Sequence, residues 1–215
     1  MNMRKLFLFI FAALCLGLIA VSCKKEGTQK YGVDGKTPMP KAVDLGIKVN
    51  GKTIKWASFN LGASTPEGYG DFYAWGEMEP KASYTDENYT FKDNPLNLTD
   101  AGRDVAREKL GGKWRMPTAE EFDALWDQCT WTEVFSNGVK LIKATGPNKK
   151  SILFPYAGYR YDSSFYDYGL YGNCWTSSIH TGNSNLASYL LYSASEVSVK
   201  SSSRSLGRTV RPVSD

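Results

Sequence analysis

The chain has 215 residues, 26 of them basic, 22 acidic and one a histidine. Arg4 and Lys5 precede a long apolar run, so beyond it 24 bases face 22 acids. That near balance, with no basic run or helical stripe to neutralise phosphates, excludes a nucleic-acid partner. About 175 residues follow position 40, enough for one domain with a real core but not for two.

In chain order, the first element is the uncharged segment Leu6 to Val21, which stops at Ser22-Cys23. A basic start, a short apolar stretch and an abrupt end are the anatomy of a secretory signal. The stretch is shorter than the ~20 apolar residues that span a bilayer, and Lys24, Lys25 and Glu26 close it. The cysteine at the cleavage point, preceded by Ala20, Val21 and Ser22, resembles a bacterial lipobox. That resemblance implies acylation of Cys23 and anchoring in a membrane by buried methylenes, each contributing ~0.8 kcal/mol. The expected division is a signal peptide over 1–22, a lipidated N-terminus and flexible tether over 23–40, and one domain over 41–215. The tether reading rests on Gly27, Gly32, Gly35, Pro38 and Pro40 among polar residues.

Within the domain, Ile54 to Leu61 leans towards strand, and the aromatic stretch Tyr69 to Trp75 suggests a second strand or extended segment. A helix is expected from Asp100, with Val105, Ala106 and Leu110 facing inwards and Gly111-Gly112 as its C-terminal cap. The next is better marked: Thr118 and Glu121 form a capping box, and Phe122, Leu125, Trp126 and Cys129 recur at helical spacing. Val134 to Thr145 folds about Asn137-Gly138, a two-residue hairpin signal because both positions tolerate positive φ. Ile152–Tyr161, Cys174–Ile179, Ala187–Tyr192, Glu196–Lys200 and Leu206–Val213 read as short strands. Helices early and strands late predict an α+β fold.

Eight short motifs, in order, are similar to those of the Fibrobacter succinogenes major paralogous domain family. They are Ala42-Val43-Asp44-Leu45-Gly46, Lys55 to Ala63, Tyr69 to Glu77, Trp114-Arg115-Met116-Pro117-Thr118, Cys129-Thr130-Trp131, Ala157-Gly158-Tyr159-Arg160, Trp175-Thr176-Ser177-Ser178 and Val210-Arg211-Pro212-Val213. The resemblance implies a C-type-lectin-like mixed domain: about two helices beside a small twisted antiparallel sheet, with long loops. It also implies a place at the bacterial envelope, as an outer-membrane lipoprotein on the periplasmic face or the cell surface. Fold alone does not fix function.

Cys15 lies in the signal and Cys23 goes to lipid, which leaves Cys129 and Cys174. An oxidising envelope permits a disulfide between them; two small buried hydrophobes is the other reading.

The densest chemical feature is aromatic. Tyr159 and Trp175 fit a packed core, whereas Tyr161, Phe165, Tyr166, Tyr168 and Tyr171 alternate with Asp, Ser and Gly and read as an exposed ligand-binding loop. The loops of residues 161–173 and 180–187 are the expected contact surface for a glycan or a surface protein. Trp56, Trp75, Trp114, Trp126 and Trp131 read mainly as core anchors. Arg115, Arg160, Arg208 and Arg211 are expected to pair with carboxylates such as Glu120 or Asp123. His180, next to Thr181-Gly182, reads as a turn histidine, and no catalytic set assembles around it, so no enzyme is expected. No cofactor and no metal is expected either: Gly146-Pro147-Asn148 lacks the acidic residue of a lectin calcium loop.

Overall fold

The computed structural model describes residues 29–92 and 102–215. The signal segment, Cys23, the first part of the tether and Asp100 lie outside them.

Eleven strands and two helices are present among the described residues. The α+β, C-type-lectin-like expectation is overturned: the strands form four small antiparallel sheets and 9% is helical, so the fold is β-rich. The helices number two as expected, but they span six and ten residues, too short to make a layer. From Phe59 to Lys92 the chain forms neither strand nor helix, and its buried aromatics hold it against the sheets instead.

The first sheet joins β1 (Ala42–Val49), β2 (Lys52–Ala57) and β11 (Val213–Ser214) in the order β1-β2-β11. Strand β1 and β2 turn about Asn50 and Gly51, at φ 50° and 78°, a pair that needs left-handed backbone twice. Alternation buries Leu45 and Ile47 from β1, and Ile54 and Trp56 from β2. The second sheet is β3 (Thr130–Ser136), β4 (Val139–Thr145) and β5 (Ser151–Pro155), with Asn137-Gly138 turning β3 into β4 as its sequence indicates. The third sheet orders β10 (Val197–Ser203), β9 (Leu186–Tyr192) and β8 (Gly172–Ile179). The fourth is the hairpin β6 (Tyr159–Tyr161) and β7 (Ser164–Tyr166).

Helix α1 (Val105–Leu110) starts later than the sequence suggests. The Asp104 carboxylate caps it, accepting from the Ala106 and Arg107 amides at 3.0 and 3.1 Å, and its second oxygen takes the Met116 amide at 2.8 Å. Helix α2 (Ala119–Gln128) has the capping box: Thr118 Oγ1 accepts from the Glu121 amide, and Glu121 Oε2 accepts from the Thr118 amide. Its inner face is Phe122 and Leu125; Trp126 is exposed and Cys129 only half-buried at the C-cap, so the buried stripe is narrower than predicted.

Three further expectations change. Leu206 to Val213 is not a strand: apart from β11 it makes single bridges, Arg160 with Gly207, Tyr73 with Arg208 and Cys174 with Thr209. Residues 29–40 are not a free tether, because Tyr31 bridges Pro38 and the Gly32 amide donates to Thr37 O at 2.8 Å. Gly32 lies so close to the Lys109 carbonyl that a Cβ would stand 2.1 Å from it. Cys129 and Cys174 are free thiols, so the permitted disulfide is not formed. Cys174 is fully buried, its sulfur 3.3 Å from Thr209 Oγ1.

The core divides into two clusters. Leu45, Trp56, Phe122, Leu125, Phe154, Tyr192 and Val213 pack beneath α2, and Tyr73, Trp75, Tyr84, Leu110, Met116, Trp175 and Val210 pack beside α1. Several of the eight short motifs interlock here. The Trp175 indole donates to Tyr73 O and the Trp75 indole to Thr176 O, both at 2.8 Å, and Arg211 Nε donates to Asn60 Oδ1 at 2.8 Å.

Candidate ligand groove

The β6–β7 hairpin is fixed on its frame by backbone pairing with the loop at residues 80–84. The Tyr84 amide donates to Asp162 O at 3.0 Å and the Asp162 amide to Tyr84 O at 2.8 Å, while Ser83 Oγ donates to Asp162 Oδ1 at 2.7 Å. Arg160 completes the attachment: Nη1 donates to Lys81 O at 3.0 Å and Nη2 to Ala82 O at 2.8 Å. Its guanidinium lies over the rings of Tyr84 and Phe165, at 5.2 and 4.9 Å from their centroids. Gly158 precedes the hairpin at φ 64°, where a Cβ would stand 2.1 Å from Tyr166 O. A side chain there would push the hairpin away.

Between this hairpin and the segment 69–72 lies a groove of about 690 Å³, lined by Tyr69, Asp71, Phe72, Tyr84, Phe165 and Tyr168 among others. That volume suits a small organic ligand. Tyr69 and Tyr168 sit 5.0 Å apart, Phe72 meets Phe165 edge-on at 5.4 Å, and Phe165 meets Tyr168 at 6.2 Å. Phe165 and Tyr168 are 54% and 55% exposed, so faces of both rings remain open. Asp71 supplies the carboxylate, with Oδ2 accepting from the Tyr73 hydroxyl at 3.1 Å. Burial and the hydrogen bond to Tyr168 push the Tyr69 phenol up to about 12, so it stays a neutral donor at physiological pH.

The structure splits the five aromatic residues singled out in the sequence. Directly opposed residues of an antiparallel pair share a face, and Arg160 opposes Phe165 while Tyr159 opposes Tyr166. Phe165 therefore lines the groove on the side of Arg160, and Tyr168, beyond the end of β7, lines it as well. Tyr161 and Tyr166 belong to the other face with Tyr159, which stacks on Tyr166 at 5.4 Å. Tyr171 is half-buried, and its carbonyl accepts from the Gly158 amide in the link to β8. Tyr69, Asp71, Phe72, Tyr84 and Arg160 join the groove from parts of the chain not assigned to a site. The aromatic run Tyr69 to Trp75 was the available signal for three of them.

Elsewhere, His180 forms a local turn, its Nδ1 accepting from the Gly182 amide at 3.2 Å. In the 180–187 loop, Asn185 lines a separate hollow of about 200 Å³ with Asp86 and Lys92. Among the described residues, no group of three or more His, Cys, Asp or Glu could hold a metal ion.

Three of the four arginines depart from expectation, and the fourth, Arg115, meets it with other acids than those named. Arg115 has carboxylate partners, but they are Glu121, gripped through both terminal nitrogens at 2.8 and 2.6 Å, and Asp215 at 3.3 Å. Arg160 donates to carbonyls, Arg208 to Asn173 Oδ1 and Ser202 Oγ, and Arg211 to Asn60 Oδ1 and the carbonyls of Ala57 and Leu153.

Comparison with models of known protein families, with curated proteins and with solved structures finds no match to this chain.

Proposed function

We propose that the chain is a lipid-anchored binding module of the bacterial envelope that recognises glycans through the groove at Phe165 and Tyr168. The supporting observation is the composition of the groove: half-exposed ring faces beside phenol hydroxyls and one carboxylate, on a hairpin pinned to its neighbour. Ring faces cover the apolar C–H faces of a sugar, while Tyr69 and Asp71 meet its hydroxyls. The test is a glycan array probed with the full chain in detergent micelles. Hits are expected to weaken by about tenfold or more in Phe165→Ala and in Tyr168→Ala, as for central aromatic anchors. An array without hits, or hits indifferent to both substitutions, refutes the glycan reading.

A second reading, a structural subunit of a surface assembly, is favoured by one observation. Strand β3 lies at the edge of its sheet with Phe135 72% exposed and Trp126 exposed nearby, a template for another chain. Concentration-dependent association in sedimentation, abolished by Phe135→Lys, would select it.

A further inference from the structure

We propose that the face built from residues 30–41, Phe59 and Trp114 docks on the headgroup layer of an anionic membrane. That this is the membrane holding Cys23 rests on the lipid-anchor reading above; the docking itself does not.

The face is a hollow of about 880 Å³ lined by Lys30, Tyr31, Met39, Lys41, Phe59 and Trp114, among others. It is a built surface. The Met39 amide donates to Lys30 O at 3.1 Å and the Gly32 amide to Thr37 O, closing residues 30–39 into a narrow loop whose Gly32 is wedged against α1. Lys30 and Lys41 line it and are exposed, and Lys36 is exposed in the same loop. The one acid between residues 29 and 41, Asp34, is turned into its own loop, where it accepts from the Lys36 and Thr37 amides and from Thr37 Oγ1. The charges that this loop turns outward are therefore those of its lysines.

Tyr31 is exposed in the hollow between the two lysines' segments, Val33 is exposed in the same loop, and Trp114 is half-exposed in the hollow. Tyrosine and tryptophan settle at headgroup level, lysines reach to the phosphates while their stems cover apolar surface, and an anionic leaflet attracts each ammonium. Chain length adds a geometric limit. Six residue steps separate Cys23 from Gln29, which at full extension span at most about 20 Å. Acyl chains on Cys23 would hold this face close to the bilayer.

The test uses the acylated full chain in vesicles of phosphatidylcholine alone or mixed equally with phosphatidylglycerol. Deuterium uptake is read at the amides of residues 30–41 and 113–114. Several-fold slower uptake is expected in the anionic vesicles, reversed by about 0.5 M salt. The double variant Lys30→Glu, Lys41→Glu should lose the protection and keep its melting temperature, because both side chains are exposed. Equal uptake in the two vesicles, or protection that survives the double variant, overturns the proposal. So does slow uptake that tracks self-association instead of lipid charge, which would mean that a second copy covers the face. Should mass spectrometry find Cys23 unacylated, the anchor reading fails, and the same uptake measurement on the unacylated chain added to vesicles still decides the docking.

Discussion

Arg211 shows what a single side chain does in this core. It is wholly buried, and among the described residues no carboxylate balances it; Asn60 Oδ1 and the carbonyls of Ala57 and Leu153 accept its hydrogen bonds, and its guanidinium lies 4.2 Å from the Phe154 centroid. Burial pulls its pKa down to about 10, so it stays charged at neutral pH. A planar fork can serve three acceptors in different directions, and an ammonium on a flexible stem cannot. Arg211→Lys should therefore lower stability by about 2–3 kcal/mol, because a buried acceptor loses its partner. Urea unfolding followed by tryptophan fluorescence reads this directly. Phe165 and Tyr168 present the opposite case: half-exposed, they should each change stability by about 0.5 kcal/mol or less on truncation to alanine. Unfolding midpoints close to the parent's, with binding lost, would separate the groove's role from the fold's.

Among the elements, α2 is organised around one acid. Glu121 closes the capping box with Thr118 and also takes the Arg115 fork. Thr118→Ala removes one end bond and should cost about 1 kcal/mol. Glu121→Ala strands Arg115 as well and should cost about 3 kcal/mol. Equal costs in urea titrations would show that the ion pair contributes nothing. This helix was legible because a cap and an apolar stripe are local signals, and the Asn137-Gly138 hairpin was legible for the same reason. Asn50-Gly51 carries the same turn signal, and reading it would have recovered β1, whose pairing register with β2 shifts between Asp44 and Lys48. Leu206 to Val213 reads as a strand in the sequence, yet its partners are single residues far away in sequence, which no local pattern encodes. The groove was half-legible: composition located Phe165 and Tyr168. Which residues share their face depends on the β6–β7 register and on a loop some 80 residues earlier that the hairpin grips through Arg160.

At the scale of the whole molecule, the aromatic core sets the response to alkali. Burial pushes the Tyr156 phenol up to about 12 and the Cys129 thiol up to about 11, and it raises Tyr73, Tyr84 and Tyr192 as well. Above the ordinary phenol value the unfolded chain sheds protons that the native state keeps, so the unfolded state binds fewer and stability falls as pH rises. The contribution is fully present below about pH 10 and is lost between about 10 and 12. Arg208 and Arg211, both pulled down to about 10 by burial, act in the opposite sense but are outnumbered. Urea midpoints should therefore decline from about pH 10 to about pH 12, and a flat or rising profile would contradict the buried phenols. The segment from Gly207 to Val213 touches β6, the loop at Tyr73, β8 and β2 in turn. Translation delivers that stitch after everything it fastens. A growing chain therefore cannot join β6, the loop at Tyr73, β8 and β2 through these bridges until its last residues have been made.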